Sequence, residues 1–362
     1  MLTKRYLIKM EESKQNQEYK QKRNWYDKHY LHLLLIPVVV LLLSIFFMFN
    51  FYQTHDDLFL KDVSLTGGTT ITIYDPLDIV QLQNDLSGKL DDFQIRSVSN
   101  TLTKEQLGVV ITTKTEIEKS KSEIEIVLGY PLTEENSSIE FTGPSLSDSF
   151  YQQLIFSVLM AFLFMGFVVF LIFGTNRKIK FWTGLLTFLP AVVFFTGALN
   201  LNTVLILILF IFIINFYFFY KHSIPSVIVI IAAFANIFMT LAVVNSLGLR
   251  MSSAGIVALL MLIGYSVDTD IMLTNRLLRR GEEGGVNERL VQALKTGLTM
   301  TLTSLSTIIV ALLIVRSFSD VLTQIFTILI IGLFFDMFNT WLTNASLIKW
   351  YVESKNFKET QK

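Results

Sequence analysis

The chain has 362 residues, 52% of them hydrophobic and only 17% charged, against about 25% charged for a soluble domain. Its 30 basic and 30 acidic residues cancel, so no net field draws nucleic acid, and the lack of cysteine excludes disulfides, thiolate metal sites and thiol redox centres. Apolar runs longer than the roughly 18 residues that mark a membrane span exclude a soluble enzyme built on one core.

A polar segment, 1–30, precedes the first apolar run at 31–52. Gln53, Thr54, His55, Asp56 and Asp57 follow without a small-residue cleavage site, which predicts a retained anchor and not a signal peptide. After a polar stretch at 53–148, further runs at 151–173, 181–199, 202–220, 224–246, 253–274, 297–315 and 320–348 bring the total to eight candidate spans, and 349–362 forms a polar tail. The shortest run, about 19 residues, reaches roughly 28 Å at about 1.5 Å per residue, close to the hydrocarbon thickness. Only Leu199 to Asn202 separates 181–199, which holds Pro190, from the run after it. These two form a tight hairpin.

Placing both termini in the cytoplasm puts the basic N-terminal segment, Arg177, Lys178, Lys180, Lys221, Arg276, Arg279, Arg280, Arg289, Lys295 and Lys349 on the inner side, and leaves only Arg250 and Arg316 in short outer loops. That asymmetry is the positive-inside pattern, and long domains such as 53–148 are exempt from it. The segment 53–148 is therefore expected outside. Its order of elements reads βαββαβ: a β-branched strand at Gly67 to Tyr74, a helix opened by Asp75-Pro76 and running to about Leu90, strands at 93–99 and 108–113, a helix at 115–128, and a last strand at 138–142. This is the ferredoxin-like split unit, a fold that hosts many activities and by itself names none.

No Walker loop, zinc spacing or nucleophile elbow occurs, and the pairs Gly67-Gly68 and Gly284-Gly285 lack the strand-to-helix context of a phosphate cradle. Neither an enzyme, a cofactor nor a metal is expected. His29, His32, His55 and His222 flank spans and read as interfacial residues. The informative residues are carboxylates inside the bilayer, where a charge costs several kcal/mol unless it is paired or faces a polar interior. Asp268 and Asp270 lie in the sixth span and Asp336 lies at matching depth in the eighth. Thr299, Thr303 and Thr307, with Thr296, share one face of the seventh span, and Asn236 and Thr240 form a similar pair in the fifth. Together with Ser266, Asn339, Thr340 and Thr343 they make a polar seam that either relays ions or hydrogen-bonds helices together. Asp268 and Asp336 are expected to share this seam, with Asp268 the residue that changes protonation, while Asp270, two residues on, faces roughly the opposite side.

Three motifs carry a resemblance. Leu65-Thr66-Gly67-Gly68-Thr69 after the first span, Gly143-Pro144 before the second, and the run containing Gly264, Tyr265, Ser266, Asp268 and Asp270 together resemble the SecF family, the smaller subunit of the SecDF protein-export complex. The TDI and DMFNTW variants look like its archaeal branch. The resemblance covers about 60–348 and implies an RND-superfamily bundle, an accessory role in Sec protein export, a SecD partner, and association with a SecYEG-type channel and the polypeptide passing through it. Two alternatives from other classes are an autonomous RND-type exporter of small molecules or lipids and a structural scaffold for SecD. Family members show six spans, so the hairpin near 181–220 reads as an insertion. Asp268 aligns with the aspartate of the SecD-type motif. The bacterial SecF aspartate falls on Thr269, and the arginine the family links to proton passage falls on Thr299. Half of a two-half fold needs a second half, and Ala258 and Gly332 are expected to face it.

Overall fold

The computed structural model describes residues 25–100, 103, 105–278 and 285–360. The basic segment through Arg23, and Arg279, Arg280 and Gly284, lie outside the described residues.

Among the described residues, eight helices are long and apolar enough to cross a membrane: His29–His55, Pro144–Phe173, Arg177–Thr196, Leu201–His222, Ile224–Ser246, Ser253–Leu278, Val286–Val315 and Asp320–Ser354. All eight expected spans are present, and the chain is a multi-pass membrane protein. Several helices outrun their apolar runs, because polar residues extend a helix past the hydrocarbon wherever nothing breaks it. A short helix, Trp25–Leu33, leads into the first, the second begins at Pro144, and the seventh at Val286. The hairpin of the third and fourth spans is joined by Asn215, whose Nδ2 donates to Thr187 Oγ1 at 3.1 Å, and the rings of Phe156 and Phe194 stack it onto the second span at 4.1 Å.

The fifth span is the most enclosed of the eight, with the first, second, fourth, sixth and eighth packed around it. Small residues admit this close packing. A Cβ on Gly332 of the eighth span would lie 2.3 Å from Leu262 Cδ2 of the sixth, and one on Gly297 of the seventh would lie 2.7 Å from the Trp341 ring. At the end of the bundle away from the polar domain, the wholly buried Lys349 donates to Asn287 Oδ1 at 2.7 Å, while Tyr30 donates to Glu353 at 3.2 Å. The first, seventh and eighth spans are thereby tied together at that end.

Between the first two spans stands the α+β domain, in the expected order: β1 (Gly68–Ile73), α1 (Ile79–Leu86), β2 (Gln94–Ser99), β3 (Gln106–Thr113), α2 (Ile117–Leu128) and β4 (Ser137–Thr142). The sheet is antiparallel in the order β2-β3-β1-β4, with Ile71 opposite Ile111 on one side and Ile139 on the other. Ile71, Ile73, Val109 and Ile111 point at the helices and meet Leu82, Leu86 and Ile124 in a closed core. Helix α1 starts later than Asp75-Pro76 suggests, because the Asp78 side chain takes the Val80 and Gln81 amides at 2.8 and 3.3 Å and sets the N-terminus there.

The glycine and proline motifs meet in space. Gly67 has φ 82°, and a Cβ there would lie 2.7 Å from Pro144 Cα; one on Gly68, at φ 147°, would lie 2.3 Å from the Thr113 carbonyl oxygen. Only glycine allows β1 to leave the membrane surface between β3 and the start of the second span. Gly143 and Pro144, at the cap and first residue of that span, complete the corner, and Thr66 closes it by donating to Asp62 O at 3.2 Å.

The domain also grips the bundle. Arg250, just before the sixth span, pairs with Asp92, which holds a left-handed φ of 44° and a second ion pair to Lys114 at 2.7 Å. Arg96 of β2 reaches Asp320 at the start of the eighth span at 3.3 Å, and the Ser99 amide donates to Ser317 O at 3.0 Å.

Candidate functional site

The sixth and eighth spans run in the same direction, side by side. Thr340 pairs with Asp270, and Thr274 with Asn344, each pair 70 residues apart in sequence. The same offset sets Leu262 against Gly332 and Ser266 against Asp336. Residues four apart lie on one helix face, so these four pairs are successive rungs of one ladder. The first rung is apolar and tight; the remaining three are polar.

Asp270 is wholly buried. Its Oδ1 accepts the Thr340 hydroxyl at 2.8 Å and Asn344 Nδ2 at 2.8 Å, while Thr274 Oγ1 donates to Asn344 Oδ1 at 3.5 Å. Asp336, equally buried, lies one turn away. The Ser266 side chain lies within hydrogen-bonding reach of it, and neither Asp336 oxygen has another partner among the described residues. No ion pair reaches either carboxyl among the described residues, so two buried acidic groups sit side by side without a basic partner there.

The eighth span changes its winding here. Thr340–Asn344 form a π-turn, with the Ala345 amide donating to Thr340 O. Such turns free a backbone carbonyl from the regular ladder and recur at functional sites. This one presents both Thr340 and Asn344 to Asp270. Asn339 Nδ2 lies 3.4 Å from Met239 Sδ, and Asn339 Oδ1 accepts from Thr343 at 3.2 Å. Asn236 and Thr240 are wholly buried in the fifth span; Thr240 donates to Asn236 O at 2.7 Å, and the Asn236 amide has no partner among the described residues.

The two neighbouring aspartates therefore exchange the places expected of them. Asp268 is exposed on the flank of the bundle, and Asp270 joins Asp336. The helix face buried against the eighth span is set by Leu262, Ser266, Asp270 and Thr274, and Asp268 lies about 200° from its neighbours two residues away. Thr299, Thr303 and Thr307 also leave the seam. They are exposed, with hydroxyls donating to the carbonyls four residues back at 2.7, 2.7 and 3.0 Å. The seventh span packs inward instead through Leu290, Ala293, Gly297 and Thr301. Ala258 and Gly332, expected at an outer face, are inside the bundle. Gly264 and Tyr265 lie on the exposed flank with Asp268. Thr274 and Asn344, absent from the expected seam, belong to it.

A buried carboxyl pair on parallel spans, with a ferredoxin-like domain above it, marks a multi-span membrane protein of RND-like fold. The crystal structure of SecDF, a translocon-associated membrane protein from Thermus thermophilus, superposes with a TM-score of 0.57 over 91% of this chain at 15% identity; this chain spans 38% of the length of that one. That likeness shows the fold. The family model for protein export membrane protein SecD/SecF, C-terminal, matches residues 193–354. The protein-export membrane protein SecF of Methanocaldococcus jannaschii is 32% identical over 339 residues, 92% of this chain and 99% of that one, and its counterpart in Methanothermobacter thermautotrophicus is 30% identical over 91% and 95%. The chain belongs to the SecF family of protein-export membrane proteins.

Proposed function

We propose that this chain is an accessory subunit of Sec protein export, working with a SecD partner and a SecYEG-type translocon, and that ion occupancy of the Asp270–Asp336 pair drives its movement. The observation that carries the proposal is the ladder itself. Its outer end is held by the α+β domain at Arg250 and Asp320, and its polar rungs hold two carboxyls whose charge decides how closely the helices sit. Neutralising the pair favours close approach, and exposing both charges drives the helices apart, because buried like charges without counter-ions are costly. Any slide of the sixth span against the eighth moves Arg250 relative to Asp320 and so tilts the domain. With the termini in the cytoplasm, that domain meets the emerging polypeptide.

The exposed flank supports the SecD partnership. Asp268 sits at membrane depth, and lipid is a poor neighbour for a carboxylate. Met272 contacts the Gly297 position of the antiparallel seventh span, which brings Asp268 level with Thr299 and Thr303. Small polar residues of this kind line close helix interfaces in membranes. A partner helix offering a hydrogen-bond donor or cation to Asp268 fits that stripe.

Export assays in a strain lacking its own copy test the reading. Asp270→Asn abolishes export stimulation while the protein accumulates and binds its partner normally. Unchanged export in that strain removes the ion-driven reading.

A further inference from the structure

At the end of the bundle away from the α+β domain, the hairpin of the third and fourth spans carries positive charge that no protein group answers. Arg177 and Lys178 open the third span and Lys221 lies in the last turn of the fourth. Their side chains are exposed and make no hydrogen bond or ion pair among the described residues. Lys180 is already used, its Nζ donating to Leu171 O at 2.6 Å in the last turn of the second span. No Asp or Glu stands between Asp148 and Asp268. Other basic residues at this end have acidic company: Arg289 follows Glu288, and Lys349 lies 3.8 Å from Glu353. The unanswered charges are also held at the membrane surface, because the connectors are only 174–176 on one side and Ser223 on the other. Counting five residues along each helix from the Thr187–Asn215 hydrogen bond brings Trp182 level with Tyr220, and both rings are exposed. Such rings mark the boundary between hydrocarbon and headgroups. Lys178 stands one turn beyond Trp182 on the same face, about 6 Å along the axis, and Lys221 adjoins Tyr220.

We propose that Arg177, Lys178 and Lys221, with the Trp182 and Tyr220 rings beside them, bind the headgroup of an anionic phospholipid in the leaflet away from the α+β domain. The assignment is independent of the ion-driven reading above. Charge selects the ligand. Three cations without an acidic residue in the surrounding sequence match a headgroup of net negative charge, whereas a zwitterionic lipid brings its own ammonium into the cluster. Basic pockets between membrane helices hold anionic headgroups in this way, and the exposed Leu185 and Leu189 further along the third span offer an apolar face to the acyl chains. The bound lipid has a mechanical consequence. Ser223 caps the fourth span and opens the fifth, its hydroxyl shares a hydrogen bond with Ser226 at 2.7 Å, and Ser226 donates to Val169 O of the second span at 3.4 Å. A headgroup held at Lys221 therefore fixes the end of the most enclosed span against its neighbour.

Photolabelling of the full chain, purified with its partner and reconstituted in phosphatidylcholine vesicles, tests the site. The vesicles carry a trace of photoactivatable phosphatidylglycerol or of photoactivatable phosphatidylcholine, and labelled peptides are mapped. Phosphatidylglycerol should label 177–189 and 217–223 several-fold more than phosphatidylcholine does. Each basic residue at an anionic membrane surface is worth about fivefold in binding, so Lys221→Gln should lower that label about fivefold and Arg177→Gln with Lys178→Gln about tenfold or more. Arg177→Lys with Lys178→Arg should keep it, which separates lost charge from lost folding, and Lys119→Gln in the α+β domain should leave it unchanged. Equal labelling by the two lipids, or phosphatidylglycerol labelling that survives removal of all three charges, overturns the site. Displacement of the label by inorganic phosphate at constant ionic strength assigns the cluster to a soluble anion and overturns the lipid. Loss of the partner from the charge-removed chain with labelling intact assigns it to a protein contact instead.

Discussion

Thr340, the first residue of a π-turn in the eighth span, donates its hydroxyl to Asp270 of the sixth span across 2.8 Å. That bond fixes the rotation of both helices. Turned by half a revolution, the sixth span would present Asp268 to Thr340 and leave Asp270 outside. The rung therefore decides which of two adjacent aspartates works inside the bundle, and the consequences can be measured.

Thr340→Val removes a donor to Asp270 without changing side-chain volume. A hydrogen bond to a charged or strongly polar buried group is worth roughly 1.5–3 kcal/mol, so the variant should lose about that much stability in detergent. Thr340→Ser should keep most of it. Thermal melts of the two variants beside wild type separate the bond from the packing.

Gly332 is the apolar rung, and any side chain there collides with Leu262. Overpacking of this kind costs roughly 1–3 kcal/mol. Gly332→Val should lower the Tm and weaken export because it spreads the rungs beneath it, and Leu262→Ala should partly restore both in the double variant. Additive losses would show that the two positions do not touch.

Cysteines at Gly264 and Thr303, both on the exposed flank, should crosslink to SecD in membranes at native expression, whereas cysteines at Ala258 and Gly332, inside the bundle, should not. Crosslinking only between copies of this chain would assign the flank to a self-interface. Asp268→Asn should weaken recovery of SecD with the tagged chain.

The spans and the α+β domain were legible in the sequence because each rests on a local pattern: long apolar runs for the helices, β-branched alternation for the strands, and Gly or Pro at the corners. The facing of the seam was not. Polar residues in one span predict an interior only if their neighbours agree, and a pair of aspartates two residues apart is ambiguous by construction. The deciding signal is a matched repeat, with Leu262, Ser266, Asp270 and Thr274 in one span and Gly332, Asp336, Thr340 and Asn344 in another, all four apart. The threonines of the seventh span misled for another reason. A hydroxyl bonded to its own helix carbonyl no longer needs a polar neighbour, so Thr299, Thr303 and Thr307 carry no information about burial. The π-turn has no local sequence signature and follows from tertiary contacts alone.

At the other end of the ladder, the Asp92 clamp has a definite pH response. Burial pushes the Asp92 carboxyl up, but hydrogen bonds and charge from Lys114 and Arg250 outweigh it and hold it below the ordinary 3.8. A carboxyl lowered on folding stabilises at pH values above its unfolded value and loses that contribution as pH falls through its folded one. Hydrogen exchange at β2 and at the loop before the sixth span should therefore be unchanged from pH 7 to about 5 once intrinsic rates are corrected. Arg250→Asp should open the clamp at pH 7, and Asp92→Arg in the same chain should restore it. Protection that ignores both changes would detach the domain from the ladder.

The most direct test of the ion-driven ladder compares two single substitutions in the same export assay. Asp270→Asn and Asp268→Asn each remove one charge from neighbouring positions of one helix, and only the first lies on the ladder. At equal protein levels, with SecD recovery measured in parallel, Asp270→Asn should abolish stimulation of export while keeping SecD bound. Asp268→Asn should lose SecD in proportion to any loss of export. Normal export in Asp270→Asn, with loss confined to Asp268→Asn despite intact SecD binding, would contradict the ladder and return the working carboxylate to the outer flank.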